Sequence, residues 1–158
     1  MINRRLAIVI ASVFVLAACS SADVPRTNFT DSVGAPEAMA MTMYRSPECS
    51  CCHLWADIVR KDGWAVASID RLDMAAFKAE TGVPLEFSSC HTAIVGGYFV
   101  EGHLPLEALE RLLAERPDVD GIALPGMPPG SPGMGGVQQA PLEVVAIIDG
   151  VASPFGSY

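Results

Sequence analysis

The sequence predicts an α/β domain of element order β-α-β-α-β-β-α, followed by an extension rich in proline, glycine and methionine that ends in a strand. Three features predict it. Short apolar runs alternate with segments of helical period, Gly96-Gly97 separates two strand-like runs as a tight hairpin, and proline and glycine crowd residues 124–136.

Met39 to Tyr44 reads as the first strand, ended by Ser46-Pro47. Met39, Met41 and Met43 share one of its faces, which in a central strand is core. From about Cys51 to Asp62 the apolar residues Leu54, Trp55, Ile58 and Val59 recur at helical spacing, and Gly63 supplies a stop. Trp64 to Ile69 forms a second strand. Asp73 caps a short helix carrying Met74, Phe77 and Ala79, closed by Gly82. Thr92–Val95 and Tyr98–Glu101 flank the Gly-Gly turn, and Pro105 opens a helix with Leu106, Leu109, Leu112 and Leu113 on one side. The first half can make a parallel βαβ unit, to which the hairpin adds antiparallel strands. That is the order of a thioredoxin-like fold, assigned to residues 39–117. Residues 118–158 form the extension: a loop too dense in Pro and Gly for helix or strand, then a strand over Leu142–Ile148 and a turn at Asp149-Gly150.

The two ends of the chain differ in kind. Arg4-Arg5, an uncharged run from Leu6 to Leu16, and Leu16-Ala17-Ala18-Cys19 make an export signal over residues 1–18. The run is shorter than the roughly 20 residues a membrane span needs. Leu16-Ala17-Ala18-Cys19 also resembles the lipobox of bacterial lipoproteins. That resemblance implies acylation of Cys19 and a periplasmic domain tethered to the membrane, with Ser20 favouring the outer membrane. Residues 19–38 then serve as the lipidated cysteine and a flexible linker.

Without residues 1–18 the formal charge moves from −8 to −10, because Arg4 and Arg5 are lost and no acidic residue goes with them. So acidic a domain is no partner for nucleic acid, whose phosphates demand a basic surface. With Cys19 consumed by lipid, Cys49, Cys51, Cys52 and Cys90 remain. Three of these fall within four residues, and closing such tiny loops restrains little unfolded-chain entropy. Clustering of this kind points to redox or metal chemistry rather than a structural disulfide framework.

Cys49-Ser50-Cys51-Cys52 lies where a strand hands over to a helix, and backbone N–H groups at a helix start stabilise thiolates. Cys49 and Cys52 alone make the C-x-x-C of thiol redox proteins. Cys51 adds a third soft sulfur, and crowded thiolates suit Cu(I), with bridging sulfurs able to hold more than one ion. Cys90-His91 precedes the hairpin, near where thioredoxin-like folds place the loop facing their C-x-x-C. His53 and His103 are further imidazoles at helix starts. Met127 and Met134 present thioethers, which bind Cu(I) and largely ignore Zn(II).

Cys49-Ser50-Cys51-Cys52, Ser89-Cys90-His91-Thr92, Glu101-Gly102-His103-Leu104-Pro105 and the run from Pro125 to Met134 together resemble, in order, the CopG-like family of periplasmic copper-resistance proteins, long known only as a domain of unknown function. The resemblance spans about residues 40–150. It implies a thioredoxin-like domain whose C-terminal extension helps bind a cysteine-bridged copper cluster, and a role in interconverting Cu(I) and Cu(II) during copper detoxification. Ser50 and His53 stand where relatives often carry Gly and Lys, and Gly135 where they carry an acidic residue. None of these changes removes a sulfur.

The expected metal ligands are therefore Cys49, Cys51, Cys52, Cys90, His91, His103, Met127 and Met134. Cys49, Cys51 and Cys52 are the candidate catalytic groups of a copper oxidoreductase, and the copper is expected to be multinuclear. The expected partners are copper ions and copper-efflux components, with a monomeric chain that touches the membrane only through its lipid anchor. Three other functions use the same residues: a passive copper chaperone or store, a metal-free thiol–disulfide oxidoreductase built on Cys49 and Cys52, and a Cys₃His zinc site, which the methionines make less attractive.

Overall fold

The computed structural model describes residues 39–158; the expected signal segment 1–18, the acylation site Cys19 and the linker 19–38 lie outside the described residues. The elements are β1 (Ala40–Arg45), α1 (Ser50–Lys61), β2 (Ala65–Asp70), α2 (Met74–Glu80), β3 (His91–Val95), β4 (Tyr98–Glu101), α3 (Leu106–Glu115), β5 (Gly121–Ala123), β6 (Glu143–Ile148) and β7 (Val151–Ser157). β1 and β2 pair in parallel across the α1 crossover, and β3 returns antiparallel to β1. Gly96 and Gly97 both adopt positive φ, 57° and 93°, and close the β3–β4 hairpin as a primed turn whose twist matches the strands. This is the α/β, thioredoxin-like order that the sequence predicts.

The sheet continues beyond it, in the order β2-β1-β3-β4-β5-β6-β7. The sequence reading finds one strand after residue 118, and the structure has three. β5 is only three residues long, too short for an alternation signal, yet it pairs in parallel with β4. A Cβ on Gly121 would sit 2.5 Å from the Phe99 ring, so glycine lets the two strands approach. β7 contains Pro154 and Gly156, which argue against a central strand. It is an edge strand, paired only with β6, and a register shift at Val144/Val145 absorbs the irregularity. Asp149-Gly150 is the hairpin between them, with φ of 50° and 76°. No helix among the described residues is long and apolar enough to cross a membrane.

Strand alternation divides the interior. Met41, Met43, Ala93, Val95, Val100 and Ile122 face α1 and α3, where Trp55, Val59, Leu109 and Leu112 complete the main core. Fully burying each large side chain contributes roughly 1.5–3 kcal/mol. The methionine face of β1 is thus core, as expected. A smaller cluster of Val83, Phe99, Ala123 and Ile147 lies on the opposite face, and there Phe77 of α2 sets its ring 4.2 Å from that of Tyr44. The same alternation splits the chemistry of β3. His91 lies on the α1 side with the main core, while Thr92 turns to the α2 side opposite Glu101.

Candidate metal centre

The loop from β1 into α1 is held from behind. The buried guanidinium of Arg45 donates to the carbonyls of Ser46 at 2.8 Å and Pro47 at 3.1 Å and pairs with Asp70 at 2.7 Å. Cys49 then occupies the N-cap position of α1. No side chain caps the helix and no acidic residue lies in its first turn, so its unpaired N–H groups and positive dipole end are left to the sulfurs. Cys49 and Cys52, one turn apart, are joined as a disulfide, with Cα atoms 5.5 Å apart. Cys51 and Cys90 are free thiols. Cys51 Sγ lies 3.4 Å from Cys49 Sγ and 3.5 Å from Cys90 Sγ. The four cysteine sulfurs all fall within 4.8 Å of one another.

Cys90 arrives on the segment before β3, and that segment is clamped at both ends by one carboxylate. Glu101, fully buried, accepts hydrogen bonds from the Ser89 N–H at 2.6 Å, from the Thr92 hydroxyl at 2.6 Å and from the Lys78 ammonium. The Pro/Gly loop closes over the sulfurs. Ser89 donates to the Gly126 carbonyl, and Met127 Sδ comes within 2.8 Å of Cys90 Sγ. Gly133 packs on the first turn of α1: its φ is +79°, and a Cβ there would lie 2.6 Å from the Trp55 nitrogen and 3.1 Å from the Cys51 carbonyl. The extension therefore meets the C-x-C-C helix start directly.

A second group lies beneath the first. Cys52, His91 and His103 are all buried, with ligand atoms within 4.8 Å of one another. The two imidazole rings meet edge-on at 5.0 Å, and Trp55 covers His91 at 4.5 Å. His103 Nδ1 faces the Pro132 carbonyl at 2.7 Å. A carbonyl only accepts, so Nδ1 carries the proton and Nε2 is left with its lone pair. That Nε2, and both ring nitrogens of His91, have no hydrogen-bond partner. Buried polar atoms without partners cost about 1–3 kcal/mol each, and three in one place argue for a ligand. Cys52 belongs to both groups.

Burial lowers the pKa of His91 well below the ordinary 6.5, with neighbouring His103 and Lys78 adding to the effect; burial likewise lowers that of His103, against the Pro132 hydrogen bond. Both imidazoles are neutral near pH 7, the form that binds metals. Between the folded and unfolded pKa values the unfolded chain holds more protons, so stability falls as pH drops below the unfolded value. Urea midpoints of the metal-free protein are expected to hold steady above about pH 7 and to decline below about 6.5, each histidine adding at most about 1.4 kcal/mol per pH unit. Midpoints that stay flat down to about pH 5 would show that these imidazoles take up protons in the fold as readily as in the unfolded chain.

The Cys90 thiol is pushed up to about 12, by burial first and then by its hydrogen bond and charge interaction with Cys51; Lys78 acts in the opposite direction. Cys90 therefore keeps its proton near neutral pH until a cation displaces it.

Two solved structures resemble this chain closely. Both are of copper resistance protein CopG, forms 1 and 2, each 40% identical to it with a TM-score of 0.70. The first match covers 77% of this chain and 98% of that one, the second 75% and 97%. The chain belongs to the CopG copper-resistance family. The family described as "Protein of unknown function, DUF411" matches residues 87–134, from just before Cys90 to Met134. No curated protein sequence matches the chain.

Against this CopG-family frame, the structure brings together seven residues singled out from sequence: Cys49, Cys51, Cys52, Cys90, His91, His103 and Met127. It does not bring in His53, which is exposed on α1, or Met134, which lines a shallow cleft with Leu54, Asp57 and Ile58 on the outer side of that helix. Lys78 and Arg45 support the site with no mark in the sequence analysis, and Glu101 stands there only as the end of a strand and the start of the run to Pro105. The signal for Glu101 was a carboxylate ending the apolar run Tyr98-Phe99-Val100. An apolar cleft of about 510 Å³ lined by Pro128, Val137 and Leu142 contains no cysteine or histidine.

Proposed function

We propose that this protein binds copper as its cargo and substrate in the cell envelope, and interconverts Cu(I) and Cu(II) at a thiolate-bridged, multinuclear site. One observation carries the reading. Four cysteine sulfurs and a thioether converge at a helix start, above two buried neutral imidazoles with unpaired nitrogens. Soft sulfur selects Cu(I), while imidazole also tolerates Cu(II), so the mixed set suits an ion that changes charge. Cys51 bridges toward Cys90 and Met127 on the outer side; Cys52 bridges toward His91 and His103 on the inner side. The Glu101 clamp keeps Cys90 in place without occupying the site. The CopG relatives are copper-resistance proteins by name, which supports the same metal and role here. Export through residues 1–18 and acylation of Cys19 would place the site in the periplasm.

X-ray absorption at the copper edge tests the ligand set. Protein loaded with Cu(I) under anaerobic conditions is expected to show a cuprous edge, a dominant sulfur shell and a smaller nitrogen shell. A first shell of oxygen and nitrogen alone would overturn the assignment. A second reading, a thiol–disulfide oxidoreductase without metal, is favoured by the Cys49–Cys52 disulfide. It gives no use to Cys51, Cys90 or the unpaired imidazole nitrogens, and so ranks below copper chemistry.

A further inference from the structure

The sulfur group combines two kinds of chemistry that are usually separate. Cys49 and Cys52 form a C-x-x-C disulfide, while Cys51 and Cys90, in the same group, stay free. The free pair lies 3.5 Å apart with Met127 Sδ beside Cys90, so an outer set of three soft donors survives when the disulfide is closed. Cys52, by contrast, is the sulfur that both ligand groups share, and the disulfide takes it from both.

We propose that the Cys49/Cys52 dithiol is the electron source for copper, reducing two Cu(II) ions to Cu(I) as it closes to the disulfide. This rests on the copper reading above and adds the missing electron donor. The balance is two Cu(II) plus two thiols giving two Cu(I), one S–S bond and two protons. Each sulfur loses one electron, and each copper gains one. Closing the bond also withdraws Cys52 from His91 and His103, which weakens the inner set just as the ions become cuprous. The outer set of Cys51, Cys90 and Met127 then holds Cu(I) for release. An external dithiol protein returns the pair to its starting state by attacking Cys49, the part-exposed sulfur, and releasing the fully buried Cys52 as thiolate.

The test uses the full chain, isolated anaerobically with its thiols reduced and the reductant removed. Cu(II) is added at two equivalents, and the cupric paramagnetic signal is followed. The protein is then desalted, alkylated in denaturant and mapped by peptide mass, with copper measured on the same sample. The expected result is loss of both cupric signals, retained copper, and a single new bond joining Cys49 to Cys52. Cys49→Ser should keep its cupric signal or map its bond elsewhere. Should that variant not fold, the wild-type map alone decides. Retained copper with all four thiols alkylated, or with a bond mapped to Cys51–Cys90, overturns the electron-source role and leaves copper binding standing. A desalted protein without copper overturns both.

Discussion

Replacing Glu101 by glutamine is expected to destabilise the fold by about 3–5 kcal/mol, the usual effect of leaving a buried ion without its partner. The carboxylate is fully buried and its salt-bridge partner, Lys78, is only 8% exposed. Glutamine can still accept from the Ser89 N–H, but it leaves the ammonium uncompensated on the α2 side of the sheet. Urea unfolding of the reduced, metal-free protein measures the loss, and a change below about 1 kcal/mol would contradict the description of this pair as buried and coupled. A second readout separates positioning from bulk stability. Ser89 and Thr92 bracket Cys90 and His91, and glutamine offers one acceptor oxygen where the carboxylate offers two, so the Thr92 end of the clamp is lost and alkylation of Cys90 under native conditions should speed up. The double variant Lys78→Met/Glu101→Leu should recover much of the stability, because removing both charges avoids the unpaired one. It should not recover the slow Cys90 alkylation, since the Ser89 N–H then has no acceptor.

Cys52→Ser is expected to cost more copper than any other single cysteine change. A hydroxyl is a poor ligand for Cu(I), and this position serves the outer sulfurs and the inner imidazoles together. Cys51→Ser removes the sulfur between Cys49 and Cys90 but leaves Cys52, His91 and His103 intact. Copper per chain should therefore fall clearly in Cys51→Ser and further in Cys52→Ser. The buried serine hydroxyl also costs about 1–3 kcal/mol if unpaired, so circular dichroism must accompany the metal count. Equal copper in Cys52→Ser and the parent would contradict the shared-ligand arrangement.

How much of this was legible in the sequence follows the range of each signal. The βαβ unit, the Gly-Gly hairpin and the Pro105 helix start rest on local patterns, and the structure has them at nearly the same residues. β5 and β7 were not legible: one is three residues long and held by its neighbours, the other tolerates Pro154 because it is an edge. At the site, softness and spacing pointed to the cysteines and to Met127. Spacing could not separate Met127 from Met134, because only the chain path past Ser89 and Trp55 decides which thioether meets Cys90. Nor could it show that alternation in β3 sends His91 to the α1 side, beside Cys52, and Thr92 to the Lys78–Glu101 side. The fixed tautomer of His103 depends on a carbonyl 29 residues away, and such contacts leave no mark in local sequence.

Copper and zinc content of the full chain, purified anaerobically from cells grown with added copper, tests the central claim most directly. More than one copper per chain with essentially no zinc is the predicted result. A protein that emerges empty, or that carries zinc alone, would contradict it.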